Sequence, residues 1–393
     1  DTKGTQTSLK PGDRIAIQLP NILQFPIAFY GATRAGLVVV NTNPLYTDKE
    51  MAHQFKDSRV KGIVILSNFC SKLEGILPET EIETVIVTQL GDVQNPFKRL
   101  LLNFTIKTLR KLVPAYSLCG AKDFQTIIDT QVPKFDYPES GQGDDIALIL
   151  YTGGTTGVAK GAMLSHNNLI MNMMQLRSRC VGLIEDKIEN ILAPLPLYHS
   201  YAFLLHCLTM PFAGNHNILV TNPGDTAGLI KLFKKWPISG FVGINTLYLA
   251  LLRQEGFSSL DFSAMKFCGA GGMAMSTSVS EEWVKVTGNS VYEGYGLTEC
   301  SPVVAVNFPG KERAGSVGAV VPETETMVMS DDGVEVAAGE RGELWIRGPQ
   351  VMKGYWQAEK ETAEALTCDG WFKTGDYVEI SEDGFISVVD RKK

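Results

Sequence analysis

The chain has 393 residues, 44% of them apolar, which suits two or three compact units with a sizeable core. Its net charge of −7 and the lack of a net basic domain exclude a general nucleic-acid binder. Seven scattered cysteines with no C-x-x-C pair suit free thiols in a reducing compartment, and no apolar run reaches the roughly 18 residues of a membrane-spanning helix.

In chain order, residues 14–19 read as a strand, 25–35 as a helix closed by Gly36, 37–40 as a strand and 48–57 as a helix. Strands follow at 62–66 and 85–88. Strand and helix alternating at this spacing predict parallel α/β layers. The rhythm returns at 146–151, 240–243, 265–268 and 290–293, short buried-strand candidates with helical stretches between them. Beyond about residue 305 glycines crowd in. Runs at 325–329, 343–347 and 386–389, separated by turns such as Asp332-Gly333 and Asp383-Gly384, predict a smaller β-rich unit. The opening at Asp1 without a methionine and the close at Lys393 in a charged run read as a fragment without a signal peptide.

One stretch stands apart. No acidic residue lies between Asp92 and Asp123, and Lys98, Arg99, Lys107, Arg110 and Lys111 surround Leu102, Ile106, Leu109 and Val113. Counted as one helix over 97–113, those four apolar positions share a face, and Asn103, Lys107, Arg110 and Lys111 share another. Two readings follow: a surface helix with its apolar stripe docked on the body, or a basic amphipathic helix lying on an anionic membrane.

Four segments carry chemistry. Residues 151–161 (Y-T-G-G-T-T-G-V-A-K-G) follow a strand-like run. Gly153, Gly154 and Gly157 let the backbone approach an anion closely, and successive N–H groups in such a turn form a concave anion site. Thr152, Thr155 and Thr156 add hydroxyls and Lys160 a mobile positive charge. It is not a G-x-x-x-x-G-K-[ST] loop. In 292–302 (Y-E-G-Y-G-L-T-E-C-S-P), Tyr295 offers an aromatic face for a nucleobase, and Thr298 and Glu299 put a hydroxyl beside a carboxylate able to ligate Mg²⁺. The plain alternative is a turn with a satisfied polar pair. In 371–376 (W-F-K-T-G-D), the Asp376 carboxylate suits the two O–H donors of a ribose diol. Residues 390–393 (D-R-K-K) are by themselves only a basic tail.

Together, in this order and spacing, the four segments resemble the adenylate-forming superfamily of acyl-CoA synthetases, luciferases and peptide-synthetase adenylation domains. The likeness extends to 194–203 (P-L-P-L-Y-H-S-Y-A-F), 269–273 (G-A-G-G-M) and 348–356 (G-P-Q-V-M-K-G-Y-W). It is strongest toward the bacterial long-chain fatty acid–CoA ligases, through 39–46 (V-V-N-T-N-P-L-Y) and 369–393. Ala274 departs from it, since relatives often carry proline there.

The resemblance implies an α/β fold: one large N-terminal AMP-binding domain over 1–393. Two α/β layered subdomains with mixed, largely parallel sheets would occupy 1–305 and a β-rich, distorted-barrel subdomain 306–390. Residues 390–393 would be a hinge to a C-terminal domain beyond Lys393, leaving this chain nucleotide-binding but largely inactive. The implied substrates are a fatty acid, ATP and CoA, with Mg²⁺ and no nucleic acid. The implied location is cytoplasmic, at most peripheral on the inner membrane face through 97–113; a homodimer is a further expectation.

Site roles follow from the same resemblance. Thr152, Gly153, Gly154, Thr155, Thr156, Gly157 and Lys160 hold phosphates. Thr155 and Glu299 share the Mg²⁺, and Thr298 contacts the α-phosphate. Tyr295 stacks on adenine near Gly271, Gly272, Glu293, Gly294 and Gly296. Asp376 takes the ribose, helped by Arg391, with Lys393 at the hinge. His199 lies beside the acyl carboxylate. Phe203 gates the acyl tunnel or is a core aromatic. Competing readings are a fatty acyl-AMP ligase that loads a carrier protein and a non-catalytic nucleotide-binding protein.

Overall fold

The computed structural model describes residues 7–130, 142–152 and 159–391. The chain divides into two compact units, residues 1–151 and 152–393.

The first unit is built on strands β1 (Arg14–Gln18), β2 (Val38–Asn41), β3 (Val60–Leu66), β4 (Thr84–Thr88), β5 (Lys122–Asp123) and β6 (Ile146–Thr152), in the order β5-β4-β3-β1-β2-β6. The described pairings, β1 with β2 and β3, β2 with β6, β3 with β4 and β4 with β5, are all parallel. Parallel strands are covered on both faces, which is why Ile15, Ala16, Ile17, Val39, Val40, Ile63, Ile65 and Leu148 are all buried rather than alternating in and out. The helix Asp48–Ser58 starts on a reciprocal cap: Thr47 accepts from the Glu50 backbone N–H while Glu50 accepts from that of Thr47. Its buried face is Met51, Gln54, Phe55 and Ser58.

The acid-free stretch is a helix, Pro96–Phe104, capped by Asn95 and continued by a π-helical turn, Thr105–Leu109. Its expected apolar stripe is docked in part: Leu102, Ile106 and Val113 are half-buried, whereas Leu109 is exposed. Asn103 is half-buried, its Oδ1 accepting from the Gly91 N–H at 2.8 Å and its Nδ2 donating to Asp92 Oδ1 at 3.0 Å. Phe97, Leu100, Leu101, Phe104 and Leu109 are exposed. The expectation assumed one unbroken 3.6-residue period. The π turn resets the phase at Thr105 and the Asn103 amide bonds fix the rotation, so Leu109 leaves the stripe.

The second unit opens with β7 (Lys160–Ser165) and the helix His166–Arg179. Its large sheet contains β8 (Asn190–Ala193), β9 (His216–Leu219), β10 (Gly240–Gly243), β11 (Phe267–Gly271), β12 (Val291–Gly296), β13 (Val303–Val306) and β14 (Ala319–Val320), ordered β14-β13-β12-β11-β10-β8-β9. Strands β8 to β12 pair in parallel, and β13 and β14 add antiparallel at one edge. Strands β11 and β12 run further than hydropathy predicts because glycines at 269, 271, 294 and 296 continue the ladder after the apolar run ends.

Beneath this sheet lies an aromatic cluster. Trp283 stacks on Phe241 at 5.7 Å between centroids and meets Tyr248 edge-on at 4.6 Å, with Phe257 at 5.3 Å. Its indole N–H donates to the Cys268 sulfur at 3.3 Å, so the burial leaves that donor satisfied.

A third sheet, β15 (Glu325–Met329), β16 (Gly342–Arg347), β17 (Phe372–Ile380) and β18 (Ile386–Arg391), is antiparallel throughout. It starts at Glu325 rather than 306, because β13 and β14 join the large sheet. Among the described residues its four strands pair in line and do not close into a barrel.

Candidate active site

In a parallel sheet, ligands collect beyond the carboxyl ends of the strands. Three expected segments leave the second unit's sheet there: 194–199 after β8, 272–275 after β11 and 297–302 after β12. All fall within one unit.

Gly271 and Gly294 are paired across β11 and β12. A Cβ on Gly271 would lie 3.3 Å from the Gly294 oxygen and 3.4 Å from the Tyr201 ring, and one on Gly294 3.3 Å from the Ala305 oxygen. The pair lets the Tyr201 ring and the Ala305 carbonyl approach the strands closely. Gly272 turns the chain with φ +77°. Glu293 holds that turn rather than pointing free, its Oε2 accepting from the Met275 N–H at 3.0 Å; burial raises its pKa. Gly296 admits no side chain, since a Cβ would sit 2.1 Å from the Pro302 oxygen. This contact folds residues 297–302 into a tight return that presents Thr298 and Glu299 on the short 3₁₀ turn Thr298–Cys300.

Thr298 meets the segment after β8: its hydroxyl lies 3.2 Å from that of Ser200. Ser200 follows His199, which caps the short helix Ser200–Ala202 by accepting from the Tyr201 N–H at Nδ1, 3.3 Å. That bond leaves Nδ1 unprotonated and Nε2 as the donor of the neutral ring. Burial lowers the His199 pKa, which keeps the ring neutral near pH 7. Phe203 begins the π-helical stretch Phe203–Thr209 and is 1% exposed, placed as a core aromatic would be.

Tyr295 donates its hydroxyl to Asp376 Oδ2 at 2.6 Å, and Arg391 Nε lies 3.6 Å from Asp376 Oδ1. Burial raises the Asp376 pKa, opposed by the Tyr295 hydrogen bond and the Arg391 charge. Burial and the neighbouring carboxylate push the Tyr295 phenol well up, so it remains a donor. The adenine-stacking candidate and the ribose candidate are thus one hydrogen-bonded unit, although 81 residues separate them.

The loop expected to grip phosphate is described at its ends only; Gly153, Gly154, Thr155, Thr156 and Gly157, like Lys393, lie outside the described residues. Thr152 closes β6 and Lys160 opens β7. The Lys160 ammonium sits 4.7 Å from the centre of the Tyr355 ring, and the Tyr355 hydroxyl donates to Glu299 Oε1 at 2.9 Å. A cation, an aromatic face and a carboxylate are thereby linked in series. Residues 353–356 reach this point by pairing with β7: the Met163 N–H donates to the Gly354 oxygen at 2.9 Å and the Trp356 N–H to the Gly161 oxygen at 2.7 Å.

Tyr355 has no role that sequence reasoning assigned, although the stretch 348–356 stood out as a whole. The clamp behind the site was missed as well. On the buried face of His166–Arg179, Asn168 donates to the oxygens of Pro349 and Val351, Asn172 to that of Val303, and Gln175 to Gln350 Oε1. Polar residues at helical spacing read as a solvated face. Here Asn168 satisfies two loop carbonyls, Asn172 the carbonyl that opens β13, and Gln175 the Gln350 side chain.

Comparison with known proteins accords with this geometry. Residues 5–356 match the family model described as AMP-binding enzyme. A long-chain-fatty-acid–CoA ligase from Salmonella typhimurium is 45% identical over 386 residues, covering 98% of this chain and 69% of that protein. Another from Bacillus subtilis is 34% identical, with the same coverage. Among solved structures, a long-chain-fatty-acid-CoA ligase from Archaeoglobus fulgidus superposes with a TM-score of 0.82 at 26% identity, covering 98% of this chain and 73% of that one. An anthranilate CoA ligase in complex with anthranoyl-AMP gives 0.84 at 20% identity, 98% and 69% coverage, a likeness of fold. The chain belongs to the AMP-binding enzyme family, and its relatives at high identity are acid–thiol ligases.

Proposed function

We propose that this chain carries the site at which a long-chain fatty acid is activated with ATP before its acyl group passes to the thiol of CoA. One juxtaposition carries the reading: Thr298 stands against Ser200, next to His199, while Tyr295, three residues earlier, holds Asp376. An acyl carboxylate near His199 and an α-phosphate near Thr298 would meet there.

A carboxylate oxygen attacks the α-phosphorus of ATP, the bond to the β-phosphate oxygen breaks, and pyrophosphate leaves with the electron pair. The thiolate of CoA then attacks the acyl carbonyl and AMP leaves. The first step brings two anions together, so positioning and charge neutralisation are what the protein supplies. Thr298 donates to the α-phosphate, and neutral His199 offers Nε2–H to the acyl carboxylate. Tyr295 supplies the stacking face for adenine near Gly271 and Gly272, and Asp376 accepts from the ribose hydroxyls. Thr152 and Lys160 bind the leaving pyrophosphate.

Mg²⁺ suits the residues present. The ion keeps several waters and takes one or two carboxylates plus substrate phosphates, so one held carboxylate, Glu299, is an adequate protein share. Thr155 would be its second ligand. When bound, the ion neutralises phosphate charge. Tyr355 is a positioning residue, fixing Glu299 through its hydroxyl.

The test is product analysis of the full-length protein with C8 to C18 acids, ATP, Mg²⁺ and CoA. The reading expects acyl-CoA, AMP and pyrophosphate, with the long acids preferred. Acylation of a carrier protein with no CoA-dependent product would favour an acyl-AMP ligase instead.

A further inference from the structure

We infer that the helix Pro96–Phe104, with the turn after it, is a docking face for an anionic phospholipid surface. The inference rests on the first unit alone and is independent of the active-site reading. Phe97, Leu100, Leu101 and Phe104 fall at i, i+3, i+4 and i+7 on one side of the helix, and they are 76%, 72%, 57% and 53% exposed. Leu109 and Leu112 continue the patch at 68% and 53%. Contiguous exposed side chains of this size mark an interaction surface.

The seat of the helix fixes which face looks out. Asn103 is hydrogen-bonded to Gly91 and Asp92, and a Cβ at Gly91 would lie 2.7 Å from Asn103 Oδ1 and 3.1 Å from the Arg99 oxygen, so the helix packs tightly on bare backbone. Arg99 turns to the same side, lining a cleft with Asp92, Asp123 and Asp129. At 100° per residue Lys98 borders the apolar face within the helix, and exposed Lys107, Arg110 and Lys111 lie in and just beyond the turn that follows.

Charge identifies the occupant. Residues 93–122 contain six cations and no acid in a chain whose net charge is −7. Lysines bordering an apolar helix face extend their stems along it and place their ammonium groups at headgroup level. A second copy of this chain would do worse, because a two-fold interface sets each basic rim against its own kind. Among the described residues no helix is long and apolar enough to cross a membrane. The helix Pro96–Phe104 is 9 residues long, so its apolar face can lie only in the plane of the surface.

The experiment is co-sedimentation of the purified protein with vesicles of phosphatidylglycerol and phosphatidylcholine, or phosphatidylcholine alone. The wild type should bind the mixed vesicles, weaken with salt and ignore the neutral ones. Leu100→Ser with Phe104→Ser, and separately Lys107→Glu with Lys111→Glu, should each weaken binding about tenfold or more while leaving Tm unchanged. Phe97→Trp should shift its emission to the blue only with anionic vesicles. The inference is overturned if the wild type ignores anionic vesicles at low salt, if both double variants bind within twofold of it, or if sedimentation shows a dimer that these variants dissociate.

Discussion

Replacing Asp376 with asparagine separates binding from stability in opposite directions. Asp376 is 7% exposed and its carboxylate is held by the Tyr295 hydroxyl. An amide keeps one acceptor oxygen for Tyr295 but loses the charge and the second acceptor expected to meet the ribose diol. A charge-assisted hydrogen bond contributes about 1.5–3 kcal/mol, so AMP and ATP should bind roughly 10- to 150-fold more weakly. Stability should move the other way. Burial raises the pKa of this carboxyl above its ordinary 3.8, so its contribution is fully present below 3.8 and is lost as pH rises through the raised value. A neutral amide at this position does not ionise and escapes that loss. Asp376→Asn should therefore match the wild type in Tm at the acid end and exceed it at pH 7.5. Titration calorimetry with AMP and thermal unfolding across that pH range read both effects. An unchanged affinity, or a lower Tm for the variant at pH 7.5, would refute the reasoning.

Further outcomes follow from the same geometry. Tyr355→Phe keeps the ring beneath Lys160 but removes the donor to Glu299. It should lower kcat/KM for ATP about three- to tenfold and raise the Mg²⁺ concentration needed, because water can partly replace the lost bond at this half-exposed carboxylate. Magnesium-dependent kinetics identical to wild type would remove Tyr355 from the site. Gly296→Ala drives a methyl into the Pro302 carbonyl at 2.1 Å and should cost about 1–3 kcal/mol of stability or more. Gly272→Ala meets open space and strains only a φ of +77°, so it should cost about 1–2 kcal/mol in denaturant unfolding and less than Gly296→Ala.

The layered fold was legible because parallel strands are buried on both faces and so appear as unbroken apolar runs; 240–243 reads as a strand and is one, Gly240–Gly243, buried throughout. Strand ends were less legible. Gly269, Gly271, Gly294 and Gly296 carry no hydropathy signal, yet they extend β11 and β12 to where the site begins. In the helix after Asn95 the half-buried Leu102 and Ile106 were legible, but the burial of Asn103 and the exposure of Leu109 were not, because they depend on a π turn and one asparagine's hydrogen bonds. At the site, motif residues such as Thr298, Tyr295 and Asp376 stood out by type. The bonds joining them across 81 to 98 residues did not, since spacing along the chain carries no record of hydrogen bonds made across it.

The central claim is that a fatty carboxylate attacks the α-phosphorus of ATP at this site. Palmitate carrying ¹⁸O in its carboxylate, incubated with the full-length protein, ATP, Mg²⁺ and CoA, tests it directly by mass spectrometry of the nucleotide. The predicted result is AMP bearing one ¹⁸O atom and unlabelled pyrophosphate. Label in inorganic phosphate alongside ADP, or thioester formed with unlabelled AMP, would contradict it.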